Sequence, residues 1–159
     1  MKFTLTYIFL LCFILSGLFF WNCAKPDKTK PLKSKSEFYF KMKSVDKGRF
    51  LVKQLGCNDC HTAGYLKSEG NIPENKWLIG DTIGWRGPLG TSYGSNLRLL
   101  IDTYKEEEWI EMAKTLKSRP PMPHPILNAM NNEDLQAIYW FIRYLGPSGK
   151  PSPVYEPYG

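Results

Sequence analysis

The chain has 159 residues, 43% of them hydrophobic and 23% charged, with a formal net charge of +6, enough for one ordinary domain plus a leader and tails. Its basicity is local: Lys25, Lys28, Lys30, Lys33 and Lys35 fall between Cys23 and Glu37, whereas from Phe38 onward 15 basic residues face 13 acidic ones. A nucleic-acid surface needs basic residues clustered on a folded face, so that class of partner is excluded.

The chain opens with "MKFTLTYIFLLCFILSGLFFWNC", in which Lys2 precedes 20 uncharged, mostly apolar residues from Phe3 to Asn22. That length lies between the core of an export signal and a true membrane span, so residues 1–22 are expected to be one or the other. Residues 23–37, biased to Lys, Pro and Ser, are expected to form a flexible basic tether, either solvated or drawn to anionic headgroups. Cys23 at this junction resembles the acylated first residue of a bacterial lipoprotein, although Trp21 and Asn22 stand where small residues are usual. Five lysines after the apolar run against Lys2 before it favour a cytoplasmic tether under the positive-inside tendency. The chemistry further along the chain points the other way.

In "SVDKGRFLVKQLGC", Val45, Gly48, Leu51, Val52 and Leu55 recur at helical spacing. Ser44 is the expected N-cap and Asp46 suits the first turn. Glycine inside a helix costs about 1 kcal/mol relative to alanine, so Gly48 is expected to admit another helix at close range.

Next comes "GCNDCHT", Gly56 to Thr62. A Cys-x-x-Cys pair is a redox dithiol, part of a metal knuckle, or an anchor for covalent haem. The other two cysteines, Cys12 and Cys23, lie in or beside the leader, so none is left for a four-cysteine site or a disulfide framework. A thioredoxin-like dithiol expects a strand before it and a helix after it, the reverse of the order here. Zinc needs more ligands, and the only other histidine is His124. Cys-x-x-Cys-His is the attachment signature of haem c, with Cys57 and Cys60 as thioether anchors and His61 as axial ligand to the iron.

The glycine-rich stretch that follows carries Trp85, Arg86, Tyr93 and Asn96, the side chains expected to donate hydrogen bonds to haem propionates. The Pro88 carbonyl is the candidate acceptor for the His61 Nδ1–H. No alternating strand pattern stands out. A middle helix is expected from a capping-box pattern at Thr103 and Glu106, with Trp109, Ile110, Ala113 and Leu116 on its buried side. In "KSRPPMPHPILNAM", Pro120, Pro121, Pro123 and Pro125 surround Met122 and His124. Proline fixes φ and restrains its predecessor, so the loop is stiff before it meets a ligand. A thioether binds iron weakly, and preorganisation lowers the cost of presenting it; Met122 is the expected second axial ligand. Met130 fits a core position, Met112 the inner side of the middle helix, Met42 a place before the first helix, and His124 an outward one. The last helix, in "NNEDLQAIYWFIRYLGP", has Asn131 or Asn132 as cap and Leu135, Ile138, Phe141, Ile142 and Leu145 as its apolar side. Gly146 and Pro147 end it.

Three blocks, "GRFLVKQLGCNDCHT", "WRGPLGTSYGSNLR" and "PPMPHPILNAMNNEDLQAIYWFIRYL", together resemble class I cytochromes c, in particular the monohaem domains that serve periplasmic dehydrogenases and respiratory chains. The resemblance implies an all-α domain over residues 38–147, with three main helices and long loops around one covalent haem. A Pro-rich tail would occupy 148–159. It implies Cys57 and Cys60 as anchors, His61 and Met122 as iron ligands, and a helix crossing in which Gly48 and Val52 meet Ile138 and Phe141. The chain departs from its relatives after Asn96, where "LRLLID" replaces a common Thr-Pro turn.

Function follows as an expectation. A His/Met-ligated haem has no open position, which favours single-electron transfer over oxygen chemistry. The partners would be redox proteins (a dehydrogenase, an oxidase or another cytochrome) met near a membrane surface. Such haem is attached outside the bacterial cytoplasm, which implies the periplasmic side of a membrane, with Cys23 or an uncleaved leader as anchor. An open distal site with peroxidase-like or gas-binding activity is the alternative, and a haem-free thiol module a third.

Overall fold

The computed structural model describes residues 35–158. The leader, Cys23 and most of the expected tether lie outside the described residues. Helix α1 spans Lys35–Gln54, ten residues longer at its start than Ser44 as N-cap would set. Ser44 is no cap: its Oγ donates to the Phe40 carbonyl one turn back, at 3.0 Å, a bond that leaves a helix intact. No proline interrupts the stretch after Pro31 and it is rich in helix formers, so residues 35–37, assigned to the tether, are helical. Gly56, at φ 66 and ψ 25, takes the left-handed conformation that stops a helix. The chain then starts the single-turn helix α2, Cys57–His61.

A short 3₁₀ turn at Glu74–Lys76 leads to two strands that the sequence pattern did not reveal, β1 Gly84–Gly87 and β2 Gly90–Tyr93. They pair antiparallel from Gly84–Tyr93 to Gly87–Gly90 around Pro88 and Leu89. A third strand, β3 Glu156–Pro157, pairs with β2 through Thr91 and Gly90. The fold is therefore mostly helical but not all-α. Four-residue strands with glycine at their turn-side ends, Gly87 and Gly90, carry no hydrophobic alternation; backbone pairing and a tight turn hold them.

"LRLLID" forms helix α3, Leu97–Asp102, capped by Asn96, whose Oδ1 accepts from the N–H groups of Arg98 and Leu99. Helix α4, Glu106–Thr115, is capped one residue before its start, where the Lys105 N–H donates to Glu108 at 2.9 Å. Thr103 instead closes α3, its Oγ1 donating to the Leu100 carbonyl. Trp109 and Ala113 are buried as expected. Part of the proline-rich loop winds into helix α5, His124–Ala129. Helix α6, Asn132–Leu145, is capped by Asn131 and ended by Gly146.

Helices α1 and α6 cross at Gly48. A Cβ there would lie 2.0 Å from the Ala137 carbonyl oxygen and 2.7 Å from Phe141 Cβ; Ala137, rather than Ile138, shares the closest point with Phe141. Val52, Leu135 and Phe141 have no exposed surface, and Trp77 packs edge-on against Phe141 with ring centres 6.2 Å apart. At the far end of α6 the buried Arg98 guanidinium donates to the carbonyls of Leu145, Gly146 and Asn75. A cation there satisfies carbonyls that the helix leaves unpaired. Among the described residues no helix is long and apolar enough to cross a membrane.

Candidate functional site

The turn of α2 puts Cys57, Cys60 and His61 on the wall of a cavity that opens to the surface. This cavity has an apolar lobe of about 240 Å³ lined by Leu97, Ile101, Trp109 and Ile142 among others, and a polar lobe of about 450 Å³. The lobes share Cys60, Tyr93, Ser118 and Met122. The four residues singled out for haem attachment and ligation, Cys57, Cys60, His61 and Met122, all line the apolar lobe. The polar lobe, and the two lobes together, have the scale of a small-molecule site.

The geometry around His61 fixes its tautomer. Its Nδ1 lies 2.8 Å from the Ser95 carbonyl oxygen, which accepts but cannot donate. The proton therefore sits on Nδ1 and the Nε2 lone pair is left for a ligand. Burial lowers the His61 pKa more than the Ser95 carbonyl raises it, which keeps the ring neutral and able to bind metal. The orienting carbonyl belongs to Ser95 and not to Pro88, because Pro88 sits in the hairpin turn, away from α2. Ser95 gave no signal in sequence. Its neighbour Gly94 did: a Cβ there would lie 1.7 Å from the Cys60 carbonyl oxygen, so only glycine lets this segment lie against the motif.

The two thiols are free, and their surroundings oppose ionisation. Apolar burial pushes Cys57 up to about 11 and raises Cys60, with Asp59 adding to both. A redox dithiol needs a lowered pKa to supply thiolate, so the environment is the reverse of what thiol exchange requires.

Met122 is held by its own loop. Its N–H donates to the Arg119 carbonyl at 3.1 Å, and its carbonyl accepts from the His124 N–H at 2.9 Å. Met112 also lines the apolar lobe, from α4, but does not reach the polar one. Met130 lines neither; it packs against the core, and its carbonyl accepts from Lys114. His124 faces its own loop, with Nδ1 3.4 Å from the Ser118 N–H, and Met42 is exposed on α1.

Of the four expected propionate donors, Trp85 and Tyr93 line the polar lobe, and Arg86 and Asn96 do not. Successive strand residues point to opposite faces, so Arg86 turns away from Trp85 and meets Tyr158, its Nε 3.3 Å from the hydroxyl. The Asn96 amide donates to the Ser148 and Lys150 carbonyls, at 2.8 and 3.1 Å, and its oxygen caps α3. The cations that do line the polar lobe are Lys117 and Arg119, which no spacing singled out.

Known protein families, curated proteins and solved structures offer no match. The assignment is carried by the residues alone. Among the described residues, no three or more His, Cys, Asp or Glu side chains converge as a metal site. An iron ion reached by His61 and Met122 would need its remaining ligands from a macrocycle. Two thiols one helical turn apart, a neutral imidazole beside them, a thioether on the same lobe and apolar walls form a donor set that fits haem c.

Proposed function

We propose that this chain is a monohaem c-type cytochrome with a class I cytochrome c fold, an electron carrier and not an enzyme. The observation that carries the reading is the convergence of Cys57, Cys60, His61 and Met122 on one apolar cavity, although 61 positions separate His61 from Met122 in sequence. Cys57 and Cys60 would hold the macrocycle through thioethers, with His61 Nε2 and the Met122 sulfur at the iron. Haem bound in this way supplies a one-electron ferric/ferrous couple whose potential the thioether ligand raises. The Ser95 carbonyl keeps the imidazole in the tautomer that presents Nε2. The apolar walls exclude water, and the proline-bounded loop holds the thioether ready. With His61 and Met122 both holding the iron, no place would remain for a substrate, which supports electron transfer over peroxidase-like or gas-binding chemistry. The raised thiol pKa values speak against a haem-free thiol module.

The setting is part of the same proposal. Cys23 or the leader would anchor the protein on the periplasmic side of a bacterial membrane. There it would pass single electrons between redox proteins through the small, transient interfaces of that class.

Absorption spectra test the reading. The full chain, expressed with haem-ligation machinery, should show sharp c-type bands when reduced and a weak long-wavelength iron–thioether band when oxidised. That weak band should vanish in Met122→Ala and persist in Met130→Ala and Met112→Ala. A colourless product sinks the haem assignment, and a band that survives Met122→Ala but dies in Met112→Ala moves the ligand to α4.

A further inference from the structure

The C-terminal segment is more than an extended tail. Ser148 and Lys150 are clamped through their carbonyls by Asn96, Ser152 donates to the Gly94 carbonyl at 2.8 Å, and β3 extends the hairpin. Between these fixed points Tyr155 lines the polar lobe, and its hydroxyl donates to the Leu89 carbonyl. The Arg119 guanidinium lies over the Tyr155 ring, 3.8 Å from its centre. Arg119 belongs to the Met122 loop and accepts the Met122 N–H through its own carbonyl. Ser95, which orients His61, stands between Gly94 and Asn96, the two residues that hold the strap. One continuous set of contacts therefore joins the His61 wall of the cavity to the Met122 wall.

We propose that Tyr155 is a positioning residue: seated by the C-terminal strap, it holds Arg119 and thereby fixes the loop that presents Met122 to the cavity. The proposal rests on the haem reading given above. A cation held over an aromatic face is a directional contact, and its partner ring is pinned at both ends, by the ladder and by the hydroxyl. Loss of the ring frees the loop to swing its thioether away without unpacking the helices.

The test uses the full-length holoprotein and added imidazole as a competitor for the Met122 position. Tyr155→Ala and Arg119→Ala should each weaken the iron–thioether band and tighten imidazole binding about fivefold, the scale of one such contact. Tyr155→Phe, which keeps the ring and loses only the hydroxyl, should stay within about twofold of wild type on the same scale. Met122→Ala serves as the reference for complete loss of the ligand. If Met122→Ala abolishes the band while Tyr155→Ala changes neither band nor imidazole affinity, the positioning role is overturned and the haem ligation stands. The same holds if Tyr155→Ala lowers only the melting temperature, which would make the residue merely structural. If Met122→Ala itself leaves the band and imidazole affinity unchanged, Met122 is not the ligand and the positioning role falls with it, whereas haem attachment falls only if the c-type bands are absent.

Discussion

The α1–α6 crossing and the cavity half of the molecule are built on different terms. At the crossing, Gly48 touches Ala137 and Phe141, and Val52, Leu135 and Phe141 are sealed from solvent; the chain fills its own space. Beside it a hairpin, a proline-bounded loop and a strap surround the lobe of about 450 Å³, and the lobe of about 240 Å³ reaches in among the helices as far as Val52, Ile101, Trp109 and Ile138. Close-packed interiors hold few voids larger than a water molecule, and the side chains around the apolar lobe depart from that packing. Stability is concentrated where side chains interlock, and chemistry where they leave room.

Substitutions at the crossing should therefore cost stability whether or not haem is attached. Phe141→Ala removes the largest fully buried side chain among the described residues and should cost about 4 kcal/mol, read from urea unfolding of the haem-free chain and the holoprotein alike. A loss seen only in the holoprotein would erase the distinction between the two halves. Gly48→Ala comes next. Helix propensity alone predicts a gain of about 1 kcal/mol, yet the added methyl would lie 2.0 Å from the Ala137 carbonyl oxygen. The helices must part, and we expect a net loss of about 2 kcal/mol in the same unfolding experiment. A stabilised Gly48→Ala variant would mean that the helices meet elsewhere.

The same contrast explains what the sequence disclosed. Helices that pack through a periodic apolar face announce it, so the cores of α1, α4 and α6 were legible, as was the caution that Gly48 needs a neighbour. Cys57, Cys60, His61 and Met122, which line one lobe, stood out in the sequence because the chemistry they suggest restricts residue type and spacing. The hairpin, α3 and the strap were not, because backbone ladders and single side-chain clamps such as Asn96 and Arg98 leave no period. Ser95 acts through its carbonyl, which any residue possesses, and so no pattern could have named it. Arg86 and Asn96 were misplaced for a related reason: composition shows that a donor is present, and only the strand's pleat and the helix cap decide where it points.

The smallest expected effect probes the cavity half alone. His61 is buried in its wall, and taking an imidazolium out of water outweighs the help of the Ser95 carbonyl, so its pKa lies below the ordinary 6.5. In the haem-free chain the unfolded histidine takes up its proton as the pH falls through 6.5, whereas the folded one resists until its own lower value. Between those two values the unfolded state binds more protons, so stability rises with pH in that window and is lost on acidification. Above 6.5 His61 adds no slope. Cys57 and Cys60, the titratable groups that share its wall of the apolar lobe, are pushed up by burial and remain neutral thiols throughout, so they add none either. Urea midpoints measured across this range should fall toward acid in the wild-type chain and flatten in His61→Gln. A slope that survives in His61→Gln places the acid sensitivity in another group. A slope of opposite sign means that the folded state welcomes the imidazolium, with Nε2 protonated and closed to a metal, and the cavity would then be no site for haem.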